Sequence, residues 1–268
     1  MTEDELGEIV SALRRSRKYR FVCEDTLRRI ARWAAARHGK TKDIVKAAKR
    51  KLHQAYGAYL EGFDPAEVEA LVEALPSDPP EGMLRETCLK ILEQHASAKE
   101  RIPFMEEAFA EVFRRTGRPE VILDLACGLN PFAFPWMGLS RETEYHAYDM
   151  ESRLVSAVDA FLLRVGVEHS AVCCDLLVSV PEAEADVAFL LKTMPCLERQ
   201  EKGASSRILR GVKARNVVIS FPAQSLGGRD KGMHEHYGEE VLRLGADLGL
   251  AAEEVAFPNE TFYLLTKT

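Results

Sequence analysis

The apolar positions change their period once along the chain. Through residues 1–116 they recur every three to four residues, which predicts helices at about 3–16, 24–38, 41–61, 65–75, 82–96 and 101–116. Gly39, "GFDP" at 62–65 and "PSDPPEG" at 76–82 punctuate that stretch. From residue 120 onward short β-rich runs alternate with helical ones: "EVILDLA", "EYHAYDM", "HSAVCCDL", "ADVAFLL" and "RNVVISF". Five strand–helix units of this kind predict an α/β fold with a doubly wound, mostly parallel sheet. The last two runs, "LAAEEVAF" and "TFYLLTKT", meet at the turn Pro258-Asn259-Glu260. They predict a terminal hairpin that places an antiparallel strand in a seven-stranded sheet. An all-helical domain over 1–100 and a sheet domain over 101–268 follow.

Charge sharpens this division. The net charge of -6 hides a basic first block: residues 1–60 hold 15 Lys and Arg against 7 Asp and Glu. In the third helix Ile44, Ala48, Leu52, Tyr56 and Tyr59 form an apolar stripe, so the two tyrosines read as core. Lys42, Lys46, Lys49 and His53 follow a second stripe at spacings of four, three and four. That ridge could neutralise several phosphates, so an anionic partner is expected at one end of the molecule.

Apolar content of 46% with 29% charged residues is that of an ordinary globular protein. The start "MTEDELGEI" lacks the apolar core of a secretory signal, and no uncharged apolar run approaches ~18 residues. Cys23, Cys88, Cys127, Cys173, Cys174 and Cys196 form no C-x-x-C and no zinc spacing. Reduced thiols, no metal, no membrane and a cytoplasmic location are expected.

The candidate chemistry lies at the strand ends. "VILDLACGLN" at 121–130 looks like the first turn of a nucleotide-binding domain, yet it has one glycine where G-x-G-x-x-G has three. Asp149 closes the second strand and Asp175 the third. S-adenosylmethionine has no phosphate and needs no glycine-lined cradle. It needs a tight turn, supplied by Asp124 and Gly128, an acceptor for two ribose hydroxyls, Asp149, and a partner for the adenine amino group, Asp175. With the terminal hairpin, this points to a class I S-adenosylmethionine-dependent methyltransferase.

Six segments carry a more specific resemblance: "KERIPFMEE" at 99–107, "LDLACGLNPF" at 123–132, "YHAYDM" at 145–150, "CCDLL" at 173–177, "LLKTMPCLE" at 190–198 and "SFPAQSLGGRDKGM" at 220–233. Over most of its length the chain resembles the 16S rRNA (guanine-N7) methyltransferases of aminoglycoside resistance. The resemblance implies that the helical N-terminal region docks on 16S rRNA in the small ribosomal subunit. It implies no DNA partner and a monomer. It places Arg101 at the methionine carboxylate, and Ala126, Leu176 and Met194 around the cofactor. Lys192, Thr193, Met194, Pro195 and Glu198 would lie beside the transferable methyl and the target base, with Phe221, Ser225, Arg229 and Lys231 on a loop that could cover the base and touch RNA. The residues before "ERIP" depart from the family by lacking a longer polar side chain, which leaves Lys99 unassigned.

Guanine N7 carries a lone pair and no proton, so no general base is required; the work is to align it at about 3–3.5 Å. The base must leave the stack, so Glu198 is expected to read its Watson–Crick edge and Phe221 to stack on it. Lys192 is expected to order the motif or meet phosphate, since a lysine buried after "VAFLL" needs a partner. Three alternatives remain: methylation of an adjacent rRNA base, a non-catalytic ribosome-binding factor of the same fold, and an NAD-dependent dehydrogenase. The missing glycines and the absence of a hydride-site histidine oppose the last.

Overall fold

A computed structural model describes residues 1–57, 64–222 and 231–267; of residues 55, 57 and 231–237 it describes the backbone alone. The helical half comprises α1 (Glu3–Arg14), α2 (Glu24–Ala35), α3 (Thr41–Leu52), α4 (Pro65–Glu73), α5 (Glu81–Leu92), α6 (Ala96–Lys99) and α7 (Met105–Thr116). The expected third helix does not run as one α-helix. It passes at His53–Gly57 into a single π-helical turn, a feature that often marks functional positions. Tyr56 on that turn is buried, and Tyr59 lies outside the described residues.

The sheet half reads β1 (Val121–Leu125), β2 (Glu144–Asp149), α8 (Ser152–Val165), β3 (His169–Cys173) and β4 (Glu184–Leu191). It continues with α9 (Met194–Gln200), α10 (Ala204–Gly211), β5 (Lys213–Pro222), α11 (Lys231–Leu248), β6 (Leu250–Phe257) and β7 (Glu260–Lys267). The strands order as β3-β2-β1-β4-β5-β7-β6. β1 to β5 pair in parallel, and β7 runs antiparallel to both β5 and β6. The register Phe257↔Glu260 leaves Pro258 and Asn259 as a two-residue hairpin turn. The doubly wound sheet with its antiparallel hairpin is therefore the architecture that the sequence predicts.

β1 is buried on both faces, as its Val/Ile/Leu run requires of a central parallel strand. Its alternation feeds two cores. Ile122 packs with Val187, Phe189, Phe109 and Phe161 on one face. Leu123 and Leu125 pack with Leu190, Ile208 and Ile219 on the other. A third core belongs to α1–α3 and the π turn, built on Leu13, Leu27, Ile30, Ala48, Leu52 and Tyr56. Val68 and Val72 of α4 and Leu84, Cys88 and Ile91 of α5 join the core of the sheet. The cores thus divide after residue 56, not at the expected boundary of 100. An amphipathic helix shows that it buries a face, but not against what.

The N-terminal bundle is fastened behind the second strand. Cys23 N–H donates to the Met150 carbonyl and Ser152 N–H to the Phe21 carbonyl, both at 2.8 Å, and Val22 forms an antiparallel bridge with Glu151. These bonds secure the loop that follows Asp149.

Phe189 is fully buried and meets Phe109 edge-on at 6.0 Å and Phe113 at 6.3 Å, which seats α7 on β4. Phe189→Ala should lower unfolding free energy by about 3–5 kcal/mol. Urea denaturation measures it, and an unchanged midpoint would mean that α7 does not depend on this contact.

Candidate active site

The carboxyl ends of the parallel strands open onto a cavity of about 690 Å³. Ligands of doubly wound sheets bind at this edge. Its wall includes Ala126 and Gly128 after β1, Asp149 at the end of β2, and Asp175 and Leu176 after β3. Lys192, Met194 and Glu198 line it after β4, Phe221 lines it at the end of β5, and Arg101 lines it from the turn before α7. Among the residues expected to hold the cofactor or the base, Asp124 is the exception: it lies beneath the wall, 1% exposed.

Two non-glycine residues at this edge hold left-handed backbone, Ala126 at φ 52° and Lys192 at φ 56°. Such geometry costs about 1–3 kcal/mol and persists only where packing enforces it. Gly128 shares it at φ 51°, which suits glycine best. This turn aims the Gly128 N–H at Asp149 Oδ2, 3.0 Å away, while Asp149 Oδ1 accepts from Glu151 N–H at 3.1 Å. Met150 N–H is a third backbone donor to this carboxylate, whose four lone-pair positions leave capacity for a ligand. Burial raises the Asp149 carboxyl above the usual carboxylate range, against the pull of these backbone donors.

Asp175 is held in the same manner. Its Oδ1 accepts from Leu177 N–H at 2.9 Å, and its Oδ2 accepts from Arg29 Nε of α2 at 2.8 Å. Arg101 is more heavily committed. Its Nε and Nη2 form a fork to the two oxygens of Glu260 at 3.0 and 2.6 Å, and Nη1 donates to Asn130 Oδ1 at 2.9 Å. Among the described residues three of its five N–H groups are thus used, and two remain for a ligand carboxylate.

Glu260, fully buried at the hairpin, also faces Lys192 Nζ at 3.4 Å. Burial pushes its carboxyl up, but the Arg101 and Lys192 charges overrule this and hold it below the usual range. Lys192 Nζ further meets Glu100 at 2.8 Å and the Ser97 carbonyl at 3.1 Å. The expected partner of this buried lysine is therefore a pair of carboxylates. Beyond Arg101 the chain of bonds continues: Asn130 Nδ2 donates to Asp124 Oδ2 at 3.0 Å, and the Tyr145 hydroxyl donates to the same oxygen at 2.6 Å.

Glu198 differs from the expectation. Its two oxygens accept from Gly203 N–H at 2.8 Å and Ser205 N–H at 2.7 Å. It thus satisfies orphan donors at the start of α10, the task of a helix cap. Burial raises its carboxyl, yet the Ser205 and Gly203 donors bring it below the usual value. Phe221 is buried edge-on to Tyr263, with ring centroids 5.9 Å apart. On α3, Lys42 and Lys46 are exposed and Lys49 half-buried. Arg229 and Ser225 lie outside the described residues; Lys231 opens α11, where the backbone alone is described.

The sequence reading missed Glu260, Asn130, Tyr145 and Arg29. Asn130 lies within "LDLACGLNPF", and Tyr145 opens "YHAYDM". An acid opening the apolar run "TFYLL" was the available signal for Glu260. All six cysteines are free thiols, and no helix of the described residues is long and apolar enough to cross a membrane.

This geometry coincides with a sequence match. Residues 15–264 match the model of a family described as ribosomal RNA methyltransferase (FmrO). The chain belongs to that family. It is 38% identical to the 16S rRNA (guanine(1405)-N(7))-methyltransferase of Micromonospora echinospora, over 99% of this chain and 98% of that protein. A Proteus mirabilis enzyme of the same name is 31% identical over 98% of this chain and 97% of its own length. Among solved structures, the 16S rRNA methyltransferase RmtF in complex with S-adenosyl-L-homocysteine superposes with a TM-score of 0.82. It has 31% identity and covers all of both chains.

Asp124 supplies a pH signature for this site. Burial pushes its carboxyl up to about 7, against the pull of Tyr145, Asn130 and Arg101 and with a push from Asp149. Its ordinary value is 3.8. The folded chain therefore holds a proton that the unfolded chain has released. The stability this contributes is complete below the ordinary value and is lost as pH rises through about 7. Asp124→Asn removes the titration. The difference in melting temperature between parent and variant should shift in the variant's favour between pH 5 and pH 8. A constant difference by calorimetry would contradict the raised value.

Proposed function

We propose that this chain transfers the methyl group of S-adenosylmethionine to N7 of a guanine in 16S rRNA, within the decoding-site helix of the small ribosomal subunit. The modification would protect the cell from aminoglycosides. The observation that carries the reading is the convergence of Asp149, Asp175 and Arg101 on one cavity, in a chain of the rRNA methyltransferase family. The donor set suits this cofactor. Two acids have spare acceptor capacity, a guanidinium has spare donors, and the volume lies within the ~300–1,000 Å³ of small-molecule sites.

Bound there, S-adenosylmethionine supplies a methyl group on a sulfonium. Asp149 accepts from the ribose hydroxyls, Asp175 from the adenine amino group, and the free N–H groups of Arg101 hold the methionine carboxylate. Ala126, Leu176 and Met194 enclose the cofactor. On the base side, Phe221 offers a stacking face. Glu198 shapes the wall by capping α10, and an oxygen lone pair on it stays available to the guanine edge. Lys192 orders the turn after β4 through Glu100 and Glu260. Its ammonium is thereby occupied, which suits a target atom that surrenders no proton.

The basic ridge of α3 supports docking of the N-terminal bundle on rRNA, and Arg229 and Lys231 belong to the RNA side as well. The chain acts as a cytoplasmic monomer in this reading, with no DNA or membrane partner.

Expression in a susceptible bacterium should confer resistance to gentamicin and kanamycin and leave apramycin active. Primer extension should map the methyl to one guanine of 16S rRNA. Asp149→Ala removes a charge-assisted acceptor worth about 1.5–3 kcal/mol per bond and should abolish both effects. Resistance to apramycin without gentamicin resistance would point instead to the adjacent base.

Replacing Lys42, Lys46 and Lys49 by Gln should weaken subunit binding. It should also flatten the salt dependence by roughly one unit of slope per lost phosphate contact. Affinity for S-adenosylhomocysteine should not change. An unaltered slope would make the ridge a solvated face only.

A further inference from the structure

The N-terminal bundle reaches into the cofactor cavity. Arg29, on α2, lines the cavity together with Gln54 and Tyr56 of the π turn. Its Nε donates to Asp175 Oδ2 at 2.8 Å, and its Nη2 donates to Gln200 Oε1 at the end of α9, 3.1 Å away. Asp175 is 5% exposed, and Arg29 is its ion-pair partner among the described residues.

We propose that Arg29 is a positioning residue for the adenine end of the cofactor site, acting through the Asp175 carboxylate. The inference rests on the reading of Asp175 as the acceptor for the adenine amino group. A carboxylate this dry needs a paired cation and satisfied oxygens, and these fix its orientation. Leu177 N–H serves one oxygen and Arg29 the other, which sets the carboxylate plane and leaves one lone pair on each oxygen for the ligand.

The sheet half supplies the acid, but its counter-charge comes from 146 residues earlier in the chain. Arg29 is held there by the same interface that fastens α2 behind Asp149, through the Cys23 to Met150 bond. Arg29 therefore leaves the set of basic residues available to RNA, unlike Lys42 and Lys46 on the outer face of the bundle. The adenine subsite is complete only when the bundle is seated.

Calorimetric titration of the full chain with S-adenosylhomocysteine tests this, using Arg29→Ala, Arg29→Lys, Asp175→Ala and the double variant Arg29→Ala/Asp175→Ala. Thermal melts establish that each variant is folded. Arg29→Ala should weaken binding by about tenfold, the scale of a charge-assisted hydrogen bond. Arg29→Lys should recover part of the loss. In the Asp175→Ala background, Arg29→Ala should cost less than about twofold more, because its effect passes through the acid.

A folded Arg29→Ala protein of unchanged affinity would overturn the proposal and leave the cofactor reading intact. Independent, multiplying losses would overturn it as well, reducing Arg29 to a fastening between the two halves. An unchanged affinity in Asp175→Ala would remove the acid from the site, and the proposal with it.

Discussion

The site is organised around one buried carboxylate. Glu260 sits fully buried between the fork of Arg101 and the ammonium of Lys192. Two cations near the dry end of a sheet are tolerable only with an anion between them, because an unpaired buried charge costs several kcal/mol. From Arg101 the bonds continue through Asn130 to Asp124 and Tyr145, so β1, the start of β2, the turn after β4 and the start of β7 share one polar network. The terminal hairpin is thus more than an edge to the sheet. Its two-residue turn delivers the acid that sets the arginine and the lysine facing the cavity.

The strained backbone belongs to the same arrangement. Ala126 and Lys192 hold left-handed conformations where β1 and β4 leave the sheet. At Ala126 the turn brings the Gly128 N–H onto Asp149. At Lys192 it places the side chain under the cavity, where Glu260 and Glu100 compensate it. The conformational cost is met by bonds that form only when all of these strands are in register.

The two halves of the molecule meet at the cavity. The bundle has its own core, yet its main-chain bonds to Met150 and Ser152 lie next to the acid that ends β2. The π turn at the end of α3 faces the same space, and α3 carries the basic ridge on its outer side. One short helical segment therefore connects the basic surface with the wall of the cavity.

Much of this was legible in the sequence because local burial leaves a local pattern. The switch of period at 120, the Val/Ile/Leu runs and the acid after each of three strands marked the sheet and the edge at which Asp149 and Asp175 lie. "ACGLNP" and "LLKTMPCLE" marked the turns that line the cavity. What the pattern could not contain was which residue each charged group faces. Arg101 and Glu260 are 159 positions apart, and Arg29 and Asp175 are 146 apart. Periodicity reports that a face is buried, but not what covers it. Hence α4 and α5 read as part of a separate helical domain although they complete the core of the sheet, and the cap that Glu198 gives α10 was not read at all. Strand order and hairpin register decided the Arg101–Glu260 pairing, and the seating of the bundle decided the Arg29–Asp175 pairing, because only the folded chain brings such distant residues within hydrogen-bonding distance.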